Sequence, residues 1–170
     1  MWYVIQTESG REQYVKRLIE VYADAETYDE VFIPQRQMLK RVAGEWRQCL
    51  QPLIPGYLFV ITSRVEQLAQ QLRSVPAFTK LLGNENLFTP LATDEAALID
   101  NFTANEHRIV LASQAVVEGD RVKVLKGPLV GQEGLITKIN RHRRTADLQM
   151  QVMGRTKRIT LALEVLHKRP

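Results

Sequence analysis

The chain has one cysteine, Cys49, in 170 residues. A single thiol excludes an intrachain disulfide and any zinc site built from several cysteines, and it fits a reducing cytosol. Long apolar runs are missing as well. No stretch approaches the ~20 apolar residues of a membrane-crossing helix, and the opening Trp2-Tyr3-Val4-Ile5 lacks the basic and then apolar pattern of a signal peptide. A soluble, cytoplasmic protein without a membrane partner is therefore expected. The sequence has no internal repeat and no low-complexity tract. Groupings that carry catalysis are absent too. His107, His142 and His167 are dispersed, Cys49 has no histidine near it in sequence, and neither a phosphate-cradling glycine loop nor a metal-ligand spacing is present. These absences point away from an enzyme and from any cofactor or metal.

Charge is present, and it is sorted. Residues 117–170 hold 12 Lys and Arg against 5 Asp and Glu, whereas residues 1–115 hold 11 against 14, so the formal +4 divides into −3 and +7. A positive field on one small module concentrates polyanions around it, and nucleic acid is the obvious polyanion. With 45% apolar residues the chain can bury one ordinary core or two small ones. The sorting favours two.

Periodicity outlines the first module. Trp2 to Thr7 is a strand ended by Ser9-Gly10, and Tyr14, Val15, Leu18, Ile19 and Tyr22 give the stripe of a helix from Arg11 to about Ala23. Glu30 to Ile33 reads as a strand. Met38 to Trp46 reads as a hairpin turning at Ala43-Gly44, with Lys40, Arg41 and Arg47 projecting near its tip. Tyr57 to Thr62 suits a buried strand. Ser63 and Glu66 have capping-box spacing ahead of the helical stripe Val65, Leu68, Ala69 and Leu72; Lys80 to Leu82 is a short strand, and Thr93 caps a helix over Asp94 to Phe102. The expected architecture is α+β, a sandwich of helices on a sheet over residues 1–103. Residues 104–115 lose their period and read as a linker, although Ile109-Val110-Leu111 implies that part of it packs.

Residues 116–170 read as a small all-β, SH3-like barrel. Strands are expected at Arg121 to Val124, Gly134 to Ile139, Thr145 to Val152, Arg155 to Leu161 and Val165 to His167, with turns at Gly127-Pro128, Gly131, Asn140 to Arg144 and Gly154.

The string Glu118-Gly119-Asp120-Arg121-Val122-Lys123-Val124, with Gly127-Pro128-Leu129 and Gly131-Gln132-Glu133-Gly134, resembles the KOW motif. Trp2-Tyr3-Val4, Pro55-Gly56-Tyr57-Leu58-Phe59-Val60, Ser74-Val75-Pro76 with Leu82-Gly83, Met153-Gly154-Arg155 and Leu161 to Val165 extend the likeness over almost the whole chain. Together they resemble the NusG family of transcription elongation factors. The resemblance implies an N-terminal NusG-type (NGN) sandwich with an antiparallel sheet, which sits on the clamp helices of bacterial RNA polymerase, and a C-terminal KOW barrel that recruits a second partner. It implies a polymerase contact at Trp2, Ile54 and Tyr57, with Thr62 and Ser63 facing a second polymerase element, the gate loop. Each also has a purely structural reading: core packing for the first three, strand end and helix cap for the others.

In the general factor of this family, phenylalanines on the barrel dock a ribosomal protein or Rho. Here Leu129, Gln132 and Met153 stand at such positions, which weakens that face. The turn Arg141-His142-Arg143-Arg144 and the pair Lys157-Arg158, with Lys126 and Arg155 as neighbours, instead offer cations to RNA phosphates, unless they form only a solvated basic loop. This pattern resembles the specialised LoaP group of NusG paralogues. That likeness implies a monomeric antitermination factor that recognises a hairpin in nascent leader RNA and promotes read-through of long operons. A general elongation factor coupling polymerase to ribosome or Rho, and a ribosome-associated KOW protein, remain the rivals. The β-branched runs favour a stable barrel over the helical refolding known for the relative RfaH.

Overall fold

A computed structural model of the protein describes residues 1–84 and 87–166. The expected terminal piece at Val165 to His167 ends outside them. In chain order the first elements are β1 (Trp2–Gln6), α1 (Glu12–Tyr22), β2 (Glu30–Phe32), β3 (Gln35–Val42), β4 (Glu45–Pro52), β5 (Tyr57–Ile61) and α2 (Val65–Leu72). Then follow β6 (Lys80–Leu81), β7 (Gly83–Asn84), β8 (Leu87–Phe88), α3 (Thr93–Phe102) and β9 (Ile109–Val110). The last are β10 (Ser113–Glu118), β11 (Arg121–Lys126), β12 (Ile136–Asn140), β13 (Thr145–Val152) and β14 (Arg155–Val165).

Two compact units result: Met1–Pro34 with Ile54–Ala96, and Gln35–Leu53 with Ala97–Pro170. These do not follow the linear division at 103 and 115, because the hairpin over residues 35–53 groups with the C-terminal part. Residues 104–115 are structured rather than a plain linker. Ile109 and Val110 form a parallel ladder with Gln35 and Arg36, and β10 already begins at Ser113.

In the first unit, β2-β5-β1-β6 make an antiparallel sheet in that order. Alternation along the strands sends Tyr3, Ile5, Val31, Leu58 and Val60 to one face, where they pack with Val15 and Ile19 of α1 and Leu68 and Leu72 of α2. Trp2, Val4, Phe32, Phe59 and Tyr57 occupy the other. The expected capping role of Ser63 is not realised. α2 starts at Val65 with no side-chain cap, and it is the Thr62 hydroxyl that accepts the Arg64 N–H at 2.9 Å, leaving Ser63 exposed. α3 includes Thr93 itself, and the Glu95 carboxylate accepts the Ala92 N–H at 3.2 Å.

In the second unit, β4-β3-β9 form one sheet and β11-β10-β14-β13-β12 a second. The β3–β4 hairpin is longer than its expected span, pairing Gln35 with Pro52 and Val42 with Glu45. Ala43 and Gly44 turn it at φ 52° and 82°, and Met153-Gly154 joins β13 to β14 at φ 54° and 72°, the left-handed pair that suits strand twist in two-residue turns. The five-stranded sheet buries Val124, Leu129, Leu148, Met150, Ile159, Leu161 and Leu163. Its strand count was anticipated but one strand was misplaced. Leu161 to Val165 continue β14 without a break, and the fifth strand is β10, which runs parallel to β14 and antiparallel to β11. A strand was also expected from Gly134. Instead Glu133–Leu135 is a 3-10 turn, with the Glu133 carboxylate accepting the Val124 N–H at 3.0 Å. Backbone N–H donors, its own first and those of Val124 and Gly131 after, hold that carboxyl below the usual range. Gly127 closes the loop at φ +101°, where a Cβ would come within 2.6 Å of the Ser113 Cα.

Candidate nucleic-acid interface

The five residues expected to face a protein partner are all in the first unit, and the fold treats them differently. Tyr57 and Ile54 are enclosed, at 6% and 5% exposure. Trp2 is half-buried, with its ring edge-on to Phe32 at 5.3 Å, and Phe32 stacks on Phe59 at 5.8 Å. Of the three, Tyr57 and Ile54 are thus buried and Trp2 is the more accessible. Thr62 is 1% exposed and its hydroxyl donates to the Thr27 carbonyl at 2.5 Å, so its polar group is used inside the fold. Ser63 is exposed.

The first unit also holds a buried charge that periodicity did not single out. Glu12, at 4% exposure, accepts the Gly56 N–H at 2.7 Å and the Gly10 N–H at 3.1 Å. It therefore ties the loop before α1 to the turn that precedes β5. Gly56 sits at φ +82°, where a Cβ would approach the Thr7 carbonyl oxygen to 3.0 Å. On a helical wheel Glu12 is simply polar, and only the tertiary position of Gly56 identifies it as an anchor.

The basic residues of the second unit separate into displayed and engaged groups. Arg141, His142 and Arg143 stand exposed on the turn between β12 and β13, which the Asn140 side chain fixes by accepting the Arg143 N–H at 2.9 Å. Arg144 does not join them. Its φ is 55°, its guanidinium lies 4.2 Å from the Trp46 ring centre, and it faces Glu164 at 3.7 Å. Arg158 pairs with Asp147 at 2.5 Å, and Thr160 donates to the same carboxylate at 2.8 Å. Burial pushes the Asp147 carboxyl up, but the hydrogen bonds of Thr160 and Arg158 and the charges of Arg158 and Lys138 outweigh it, so its pKa falls below the ordinary carboxylate value.

Nor do all the cations share one rim. Arg155 follows the Met153-Gly154 turn at the far end of β13, about 24 Å from the 141–144 turn by strand rise. Lys126 is exposed at the end of β11, on the opposite edge of the sheet from β12, and Lys157 is half-buried. The neighbourhood expected for Arg155 is thus absent, whereas Lys126 pairs with Gln114, which pairs in turn with Glu164, the residue that Arg144 faces. Among the docking positions, Leu129 is fully buried, whereas Gln132 and Met153 are half-buried.

The family model described as "Transcription termination factor nusG" matches residues 1–100, and that of the KOW motif matches residues 118–152. The chain belongs to the NusG family. Factors of the NusG family are non-enzymatic, act in transcription termination and antitermination, and interact with RNA polymerase. NusG of Helicobacter pylori is 25% identical over 176 residues, covering 98% of this chain and 97% of that protein. NusG of Thermus thermophilus is 26% identical over 166 residues, at 91% and 90% coverage. A solved structure on domain interaction in Thermotoga maritima NusG aligns at TM-score 0.60 and 24% identity, covering 95% of this chain and 92% of that one, and supports the fold. No helix among the described residues is long and apolar enough to cross a membrane.

Proposed function

We propose that this NusG-family protein binds the clamp helices of bacterial RNA polymerase through its first unit and a hairpin of nascent leader RNA through the basic turn of its KOW module, promoting read-through of long operons as a LoaP-like factor. The observation that carries this reading is the display of Arg141, His142 and Arg143 on a turn held by Asn140, while Arg144 and Arg158 have protein partners. A guanidinium in solvent pairs with phosphate or stacks on an unpaired base, and these are the contacts that single-stranded loops of an RNA hairpin offer. Arg155 and Lys157, placed elsewhere on the module, add long-range attraction rather than contact at that turn, and Lys126 lies at the turn's end of the sheet. Toward the polymerase, Trp2 supplies the accessible aromatic surface, Ile54 and Tyr57 shape it from within, and Ser63 is the available polar neighbour. Preferential binding to the elongating enzyme would disfavour paused and terminating states.

Sequencing of RNA crosslinked to the protein in cells tests the proposal. Enrichment of one leader hairpin is expected, and uniform coverage of transcripts would overturn the specialised role. The full burial of Leu129 favours keeping a second reading, a general factor coupling polymerase to ribosome or Rho. A core position reports packing, so leucine there says nothing against a docking surface built from its neighbours.

A further inference from the structure

The second unit contains a cavity of about 630 Å³, lined on one side by His142 and Arg143 of the basic turn and on the other by the β3–β4 hairpin, to which no role has yet been given. One wall is the solvent side of the KOW sheet, with Lys138, Arg143 and Arg158; the other is the β3–β4 hairpin, with Lys40, Arg41 and Trp46. Five cations thus face a single lining carboxylate, Asp147, which Arg158 and Thr160 already engage. Two contacts fix the hairpin against the sheet. The Arg36 guanidinium donates to the Thr160 carbonyl and, at 3.2 Å, to Gln51 Oε1, and the Arg144 guanidinium lies on Trp46. Lys40 and Arg41 are exposed on β3 and form no ion pair among the described residues.

We infer that this cavity binds an unpaired segment of RNA, with Lys40 and Arg41 of the hairpin completing a site whose other half is the KOW sheet. The inference rests on the RNA-binding reading above and deepens it: the hairpin becomes part of the nucleic-acid site. The size lies in the range of pockets that enclose one small ligand, which suits one or two nucleotides and excludes a duplex. Its chemistry fits as well. Lysines neutralise phosphate as point charges, arginines do so with a planar fork, and an indole held in place by a guanidinium gives a rigid surface beside which a base stacks. An acidic peptide would use the cations and leave Trp46 without a role.

The test uses the full chain and a fluorescein-labelled single-stranded 12-mer RNA, the same sequence as a duplex, and an oligoglutamate competitor, with anisotropy read across a salt series. Lys40→Ala with Arg41→Ala is expected to weaken single-strand binding at least tenfold and to lower the log-log salt slope by about 1.4. Trp46→Leu is expected to weaken it about tenfold with the slope unchanged. Circular dichroism confirms that each variant is folded, and the two exposed positions on β3 keep the test valid should Trp46→Leu prove unstable. Arg141→Ala serves as the reference, since Arg141 belongs to the proposed RNA turn and does not line the cavity. If Arg141→Ala weakens binding while the hairpin variant does not, the composite site is wrong and the RNA-binding role stands. If the unaltered chain binds no RNA, both are wrong. Preference for duplex, or full displacement by oligoglutamate at equal charge, also overturns the inference.

Discussion

The apolar set Trp2, Ile54 and Tyr57 of the first unit and the basic turn of the second were both read as contact surfaces, and they were legible to very different degrees. The expected apolar anchors are mostly enclosed: Tyr57 and Ile54 are buried, and Trp2 is half-buried. On the turn, the exposed cations stay exposed. An apolar side chain gains free energy in a core as readily as in an interface, so its identity does not reveal which it occupies. A guanidinium without a partner does not go inside, because burying an unpaired charge costs too much. Surface position is therefore inferable from sequence for an arginine without a partner among the described residues, such as Arg141 or Arg143, and not for tyrosine.

The largest effect that would break this comparison concerns Tyr57. As a packing residue, Tyr57→Ala should lower stability by about 3 kcal/mol in denaturant unfolding, with Trp2→Ala costing roughly half as much. Equal losses would mean that the two aromatics have the same role. Glu12→Ala comes next, at about 2 kcal/mol, since the Gly10 and Gly56 amides lose a charged acceptor in a buried place. A loss below about 0.5 kcal/mol would show that water replaces the carboxylate there.

A smaller effect sharpens the second half of the comparison. The Asp147 carboxyl has a folded pKa below its ordinary value of 3.8, so its contribution is present above that pH and is lost as pH falls through the lowered folded value. Asp147→Asn should therefore reduce stability at neutral pH and flatten the acid limb of the stability curve below about pH 4. Parallel acid limbs for the two proteins would indicate that Arg158 and Thr160 do not hold this carboxylate.

Most elements were readable where period and punctuation agreed. α1 and α2 followed from their 3-4 spacing, and the Ala43-Gly44 and Met153-Gly154 turns matched chemistry that only left-handed backbone requires. What failed was long-range. The pairing of β9 with β3 and the position of β10 beside β14 each depend on a partner distant in sequence. The site behaved likewise. Arg141 and Arg143 were identifiable as local charge, but the diversion of Arg144 to Trp46 required knowledge of where the hairpin lies. Arg155 looked adjacent because six Lys and Arg fall between residues 141 and 158, and β13 places it a strand length away.

The division between a packed aromatic face and a displayed cationic turn is tested most directly by the salt dependence of RNA binding in Arg141→Ala/Arg143→Ala. For a site neutralising about four phosphates the log-log slope of affinity against salt should be about −3, falling to about −1.5 in the double variant while its unfolding midpoint stays unchanged. An unchanged slope, or a loss of binding that accompanies unfolding, would contradict the assignment of RNA contact to that turn.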